Sequence, residues 1–457
     1  MRRRCGRAAL ALSLGFAAPG ALANSDPLTG LIAAPGGAGI GIASRFEDSP
    51  YRGGGTRHDL VPLYLYEGKF AYLHSYRAGL KLEQAPGWRF EAFLKHRFEG
   101  FPFDRLPPAL AGMGKRGAGA DAGVSVQAQG GWGAAYAELM QDVLEVSKGR
   151  ELRIGYKYEW RIGALRLRPH AMLAWRDSRL NNYYYGVLLS EAAAGRPAYQ
   201  PGAGVNRELG LYAAYDLTER WRLLAGASAT RWAKGVRASP IVEDRVQRAA
   251  VIGLMYDFSP EHEPWPERTP LIGRALYGAS SDCDVLKIMR LSCTSTHTQD
   301  GTSVAAFEIG RPFIQRLNGW PLDLAGFVGL LRHKERGLQR DFWQVNAYVK
   351  AYYYGFPWSE RVRTRLGIGT GLAYARRVPF AEERDQAIRS RSTSKLLNYL
   401  DPTVDVSVGD LIRVRSLKET YLGLGVSHRS GIFGSSHLLG NVNGGSNYIY
   451  GYLEWTM

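Results

Sequence analysis

Apolar and polar residues alternate along much of this chain. In the stretch 151–160, ELRIGYKYEW, the even positions carry leucine, isoleucine, tyrosine and tryptophan, and most odd positions are charged. In the stretch 344–353, QVNAYVKAYY, the odd positions are valine, alanine and tyrosine, while the even positions include glutamine, asparagine and lysine. Because side chains of a β-strand point to opposite faces in turn, this period of two predicts strands with one apolar and one polar face.

The length of these strands and their aromatic residues indicate a membrane barrel. The strands run for about ten residues, which is the length that crosses an outer membrane at a tilt. The chain contains 26 tyrosines and 11 tryptophans, which fit the aromatic girdles at the two membrane surfaces. A soluble β-sandwich would also alternate, but its strands are usually shorter. We therefore predict an all-β protein built as an antiparallel transmembrane β-barrel in the cell outer membrane.

The N-terminus supports export from the cytoplasm. Residues 1–23 contain four arginines, an apolar stretch and the small-x-small sequence Ala21-Leu22-Ala23, which together predict a signal peptide. Without the four arginines of this leader, the formal net charge falls from +16 to +12. An exported basic protein is expected to meet outer-membrane lipid and anionic lipopolysaccharide, and nucleic acid is not an expected partner.

A barrel-closing signal in the middle of the chain predicts two barrels rather than one. Residues 249–258, AAVIGLMYDF, end at Phe258 with the glycine and aromatic spacing of a terminal barrel strand. Residues 259–270 then contain four prolines, which cannot continue a strand ladder and indicate a linker. The predicted units are a first barrel at 24–258, with about 10–12 strands, and a second barrel at 271–457.

The second unit divides into eight alternating strands, near 271–279, 302–312, 322–332, 342–354, 362–376, 402–409, 419–430 and 446–457. Eight is an even number, as a barrel with both ends in the periplasm requires. Tyr448, Tyr450 and Tyr452 share the inward face of the last strand and are predicted to fill the lumen, which disfavours a small-solute channel.

Two cysteines remain after the leader, and the compartment decides how they are interpreted. Cys283 and Cys293 fall in the first outer loop of the second unit, and this spacing suits a disulfide in an oxidising compartment. Two free thiols are the alternative. A metal site is not predicted, because no cluster of histidines accompanies the pair, and no motif calls for a cofactor.

Three stretches of the first half form a distinctive set. They are residues 39–82, GIGIASRFEDSPYRGGGTRHDLVPLYLYEGKFAYLHSYRAGLKL, the loop 181–204, NNYYYGVLLSEAAAGRPAYQPGAG, and the strand that closes at Phe258. In these stretches the chain resembles the MipA/OmpV family of outer-membrane proteins. The resemblance implies a barrel without enzymatic activity that serves as an envelope scaffold, tethering a murein hydrolase or a murein synthase. Other members of the family are treated as porin-like or surface proteins.

The second half carries one motif that resembles an enzyme. The stretch SHRSG, with His428 and Ser430 on the penultimate strand, is similar to the lipid A deacylases of the PagL type. The resemblance implies His428 as base and Ser430 as nucleophile. Strand parity places both side chains on the lipid-facing side near the outer leaflet.

Two expected partners of this pair are missing from the sequence. Gly431 stands where that family has an asparagine, and Glu454, the carboxylate of the last strand, lies toward the periplasmic end. Asp401 is the remaining candidate for the third member, although parity turns it inward unless a bulge at Pro402 redirects it. We therefore predict a structural or scaffolding function, with an esterase acting on lipid A as the alternative.

Overall fold

The computed structural model describes residues 38–101, 106–258, 270–296, 298–432, 435–436, 438–440 and 442–457. The predicted signal peptide and most of the predicted linker lie outside these residues. The described chain forms two antiparallel barrels, called here the first barrel (38–258) and the second barrel (270–457). The predicted fold class, two transmembrane-type β-barrels in tandem, is confirmed.

The first barrel is a ring of twelve strands. β8 and β9 pair in succession with the same neighbour, β10, and the ring closes through the pairs β1–β13 and β10–β11. The strands are β1 Ala38–Asp48, β2 Thr56–Glu67, β3 Ala71–His74, β4 Arg77–Ala85, β5 Trp88–Arg97, β6 Gly119–Gly130, β7 Gly133–Asp142, β8 Arg150–Lys157, β9 Trp160–Ile162, β10 Leu165–Arg176, β11 Gly204–Asp216, β12 Trp221–Arg231 and β13 Val246–Asp257.

The second barrel is a closed ring of eight strands. They are β14 Ile272–Ser281, β15 Ser303–Ile314, β16 Leu322–Lys334, β17 Phe342–Tyr353, β18 Thr364–Ala375, β19 Leu396–Ser407, β20 Thr420–Ser430 and β21 Gly445–Thr456. Each strand alternates as the sequence predicts. In β21, Tyr448, Tyr450 and Tyr452 are buried in the lumen, while Leu453 faces outward and is exposed.

The sixth strand of the second barrel differs from its predicted position. β19 begins at Leu396, whereas the sequence pattern placed its start at Pro402. Proline cannot donate to a strand ladder, so it suggested the first residue of a strand. In the structure Pro402 lies inside β19, where the ladder to β20 passes from Leu400 to Thr403 without a register shift.

In both barrels most connections at one end are short turns, and most of the long segments lie at the other end. All four barrel termini lie at the end with the short turns, which is the periplasmic end in outer-membrane barrels. The helices lie in the connecting segments: α1 Ser178–Tyr185, α2 Lys234–Arg237, α3 Val285–Met289, α4 Phe380–Ile388 and α5 Val408–Ile412. Within the described residues, none of these helices combines the length and apolar character that a membrane crossing requires.

Candidate functional site

His428 and Ser430 lie two positions apart at the outer end of β20, and they are not hydrogen-bonded to each other. The Nδ1 atom of His428 lies 2.6 Å from the Oδ1 atom of Asn447 on β21. The structure shows no hydrogen bond between His428 and Ser430, nor any between His428 and a carboxylate of the described chain. An imidazole that activates a serine needs that contact and a third group to orient it.

A loop covers the strand face that carries this histidine. Cys283 and Cys293 are joined by a disulfide, and together with Ile288 of α3 they pack against Val426, two residues before His428. The Asn447 amide that contacts the histidine also donates to the Cys283 carbonyl, at 2.8 Å. His428 is therefore part of the contact between a disulfide-closed loop and the barrel wall.

Asp401 lies on the opposite side of the barrel wall from His428. Its carboxylate accepts hydrogen bonds in the lumen from Arg274, at 2.9 Å, and from Lys350, at 2.5 Å. β19 has no bulge at Pro402, so the parity of the strand is kept and Asp401 points inward. The structure does not bring Asp401 to His428, and the three residues do not assemble into a catalytic triad.

The Ser430→Ala variant tests this geometry. Because Ser430 has no base bonded to it, we expect strains with the wild type, with Ser430→Ala and with a deletion of the gene to show identical lipid A acylation by mass spectrometry. A 3-O-deacylated species that is present with the wild type and absent with Ser430→Ala would contradict the expectation. The variant needs no separate folding control beyond heat-modifiable migration on a gel, since Ser430 is not buried.

A network of charged and phenolic groups fills the lumen of the second barrel. Arg274 lies at its centre, fully buried, and donates to Glu308 at 3.0 Å, to Tyr348 at 2.9 Å and to Asp401. Tyr450 is a further partner of Arg274. A second group toward the periplasm joins Arg365 to Asp405 and Glu454. These contacts leave the lumen filled rather than open.

The outer mouth of the second barrel is closed by its own loops. Glu382 of α4 is buried, and its carboxylate lies 3.4 Å from both Arg429 Nη1 and Ser446 Oγ. Burial raises the pKa of Glu382, although Arg429 and Ser446 favour its charged form. Leu438 and Leu439 of the last outer loop are also buried, in a cluster with Leu397.

The first barrel is closed at its outer mouth by packed loops, which we call the outer cap. The outer cap contains buried apolar residues from four connecting segments: Tyr51, Phe101, Leu110, Met113, Leu180, Tyr184, Tyr185, Val187, Trp232, Ala233, Val236, Ile241 and Val242. Residues of the loop 181–204 are part of this packed cap: Val187 pairs with Tyr199, and burial raises the pKa of Tyr185. Its tyrosines and glycines therefore serve to build the cap.

Below the outer cap, the first barrel encloses a cavity of about 290 Å³. Charged networks border it. Glu151 is fully buried, and its carboxylate forms ion pairs with Arg97, at 2.7 Å, and with Arg153, at 2.5 Å. Closer to the periplasm, Arg77 is buried against Glu138 at 2.5 Å. The interior is a polar chamber closed at the outer mouth.

The longest periplasmic connection, residues 408–419, presents an unusual surface. It contains α5, and its apolar side chains Leu411 and Ile412 are 54% and 57% exposed. Basic residues alternate with further exposed apolar residues immediately afterwards: Arg413, Val414, Arg415, Leu417 and Lys418. Burial of the Asp410 carboxyl group acts to raise its pKa, but hydrogen bonds from Arg363 outweigh this effect and lower the pKa. The Asp410 carboxylate anchors the segment by accepting a hydrogen bond from Arg363 Nε at 3.1 Å. We call residues 408–418 the periplasmic segment.

Comparison with known proteins places the first barrel among outer-membrane proteins. Residues 39–258 match the family model described as MltA-interacting protein MipA. Outer membrane protein Omp26La of Vibrio anguillarum is 34% identical over 150 residues, which cover 33% of this chain and 58% of that protein. The putative outer membrane protein YiaT of Escherichia coli K12 is 27% identical over 223 residues, covering 48% of this chain and 90% of that protein.

A third relative has a name that states an interaction. The MltA-interacting protein of Escherichia coli K12 is 30% identical over 121 residues, covering 26% of this chain and 49% of that protein. The matching part of this chain thus spans about half of that relative and 58% of Omp26La. The outer-membrane location predicted from the sequence is confirmed by these relatives and by the barrels.

Proposed function

Since the first barrel of this chain belongs to the MipA/OmpV family of outer-membrane proteins, we propose that the protein is a structural scaffold of the envelope that anchors a murein hydrolase or synthase to the outer membrane. The observation that carries the proposal is the family match over residues 39–258, within which one relative is named for its interaction with MltA. The role of that relative is transferred here as a hypothesis about this chain.

The filled lumen of the second barrel and the closed outer mouth of the first barrel support a scaffold over a channel. The second barrel holds a buried Arg274 network across its lumen, and the first barrel has a closed outer cap. A solute path would need a continuous polar opening from one end to the other. The second barrel instead resembles small barrels whose interiors are packed with side chains.

The periplasmic segment supplies a surface on which a periplasmic enzyme can dock. Exposed leucine and isoleucine side chains beside arginines suit a protein interface, because interface cores are apolar and arginine is enriched at interfaces. Lone exposed apolar residues are ordinary, but several within eleven positions form a patch. The partner expected here offers an apolar groove bordered by acidic residues.

Purification from cross-linked envelopes tests the proposal. We expect the tagged full-length protein to retrieve a murein hydrolase or synthase, identified by mass spectrometry, and a Leu411→Ser/Ile412→Ser variant to retrieve at least tenfold less. Both substituted side chains are exposed, so the barrel itself should fold and insert as the wild type does. Retrieval of no murein enzyme, with wild type and variant behaving alike, would overturn the scaffold proposal.

A further inference from the structure

The wall of the first barrel has a lateral gap in its outer half. β2 pairs with β1 along its whole length, but on its other side it pairs with β3 only at residues 65–67. Pro62 lies in the unpaired part, and proline within a strand is confined to places where no ladder bond is needed. The upper half of β2 therefore forms one open edge in the barrel wall.

The opposite edge of the gap is aromatic. The hairpin of β3 and β4 turns at Ser75–Tyr76, well short of the outer end of β2. Above this turn, the ring of Phe98 contacts Tyr76 at 5.1 Å and His96 at 4.9 Å between centroids. Phe98 also lies under the guanidinium of Arg45, 4.8 Å away, which reaches across from β1.

The cavity of the first barrel extends to this gap. Its lining includes Val61 and Leu63 from the β2 edge and Tyr76, His96 and Phe98 from the opposite edge. His96 of β5, and Phe98 just beyond it, are in phase with the outward-facing residues of this strand. The cavity therefore continues around the end of the barrel wall. Because the outer cap closes the mouth, the gap is the side on which the cavity approaches the outside of the barrel wall.

A segment of the second barrel covers the gap from outside. The described residues of this segment, which we call the lid, are Ile432, Ser435, Ser436, Leu438, Leu439, Gly440 and Val442. Leu438, Leu439 and Val442 belong to one apolar cluster with Val61 and Leu63 of the cavity wall. The open edge of β2 also donates from Leu60 N to the Ser435 carbonyl, at 2.8 Å.

The two barrels also bond to each other directly beneath the lid. The hydroxyl of Tyr64, on the outward face of β2, lies 2.9 Å from Thr370 Oγ1 and 2.6 Å from Asn398 Oδ1. Threonine and asparagine on the outer face of a barrel are costly against lipid unless they are paired. This pairing holds the second barrel, and with it the lid, beside the gap.

From this geometry we propose that the cavity of the first barrel is a binding site for an acyl-chain amphiphile of the outer leaflet, which enters sideways through the gap and is enclosed by the lid. The rim formed by Val61, Leu63, Tyr76 and Phe98 accepts the apolar chain. Arg45 and the ion-paired side chains behind it receive the polar head group. The volume, about 290 Å³, is near the lower end of the range of roughly 300–1,000 Å³ for small-molecule sites.

A disulfide that ties the lid to β2 tests the proposal. The backbone hydrogen bond from Leu60 N to the Ser435 carbonyl, 2.8 Å long, brings these two residues together, and they are therefore the pair chosen for the cross-link. The full-length protein in nanodiscs is titrated with dansyl-undecanoic acid, and bound probe is read from its fluorescence. We expect Leu60→Cys/Ser435→Cys to bind at least tenfold less probe when oxidised than when reduced.

Matched controls make either result decisive. Wild type is measured with and without the reductant, because Cys283–Cys293 is also reduced. Leu63→Trp, which fills the gap from within the barrel, is expected to lower probe binding at least tenfold in both redox states. Leu173→Trp, on the lipid face, should leave probe binding unchanged. Equal binding by the oxidised and reduced double variant, absence of binding by the reduced form, or no effect of Leu63→Trp would each overturn the proposal.

Discussion

Replacing Arg274 with methionine is expected to lower the stability of the second barrel by about 3–5 kcal/mol. The guanidinium is fully buried and is bonded to Glu308 and Asp401, so its loss leaves two carboxylates in the lumen with less compensating charge. Lys350 remains beside Asp401 but does not bond to Glu308. Hydrogen exchange measured by mass spectrometry should show faster exchange in β14–β21 and little change in the first barrel.

Arg332→Met is the matched control for Arg274→Met. Arg332 faces outward on β16 and pairs with Asp341 at 3.5 Å, with both side chains more than one-third exposed. Exposed pairs contribute roughly 0.2–1 kcal/mol, so this variant should exchange almost as slowly as wild type. Equal protection in both variants would show that the lumen network does not hold the second barrel together.

Glu151→Gln is expected to have a similarly large effect on the first barrel, about 3–5 kcal/mol. The change keeps the shape of the side chain but removes the charge shared by Arg97 and Arg153, both within 2.7 Å of it. Arg176 also lies 3.5 Å from the same carboxylate. The faster exchange should therefore appear in β5–β10, with the second barrel unaffected.

Glu159→Gln provides the control for that variant. Glu159 lies in the short break in the ladder between β8 and β9, one-third exposed, beside Arg161 and Arg168. Because water screens this group, its loss should cost no more than about 1 kcal/mol. Matching destabilisation by Glu151→Gln and Glu159→Gln would contradict the importance given to the buried network.

Strand parity accounts for most of what could be predicted from the sequence. In a membrane barrel, lipid and lumen impose opposite chemistry on successive residues, so the alternation in β17 and the inward tyrosines of β21 could be predicted residue by residue. The inward direction of Asp401 followed from the same rule. The start of β19 did not, because Pro402 resembles a strand start and only the ladder shows otherwise.

Contacts between parts of the chain that are distant in the sequence could not be predicted. The sequence placed His428 on the outward face, but it did not indicate that the disulfide loop packs beside it against Val426. Nor did it pair Arg274 with Asp401, which are separated by 127 positions and meet only when the barrel closes. Pro62 was the one local signal for the gap, since it is incompatible with a ladder on that side.

The disulfide loop, the lid and the outer cap share a physical role. Each brings apolar side chains over an end or edge of a barrel where backbone or cavity would otherwise meet solvent or lipid. The periplasmic segment is the exception, because it leaves its apolar residues exposed. This exposure supports the proposal that the partner binds at the periplasmic face.

Site-specific photo-cross-linking at Leu411 tests the central claim most directly. A photoreactive amino acid at Leu411, in the periplasmic segment, is compared in living cells with the same amino acid at Leu189, which is 85% exposed in an outer loop. The account predicts an adduct with a murein hydrolase or synthase at Leu411 and none at Leu189. Absence of such an adduct at Leu411, in cells where the protein is inserted and heat-modifiable, would contradict it.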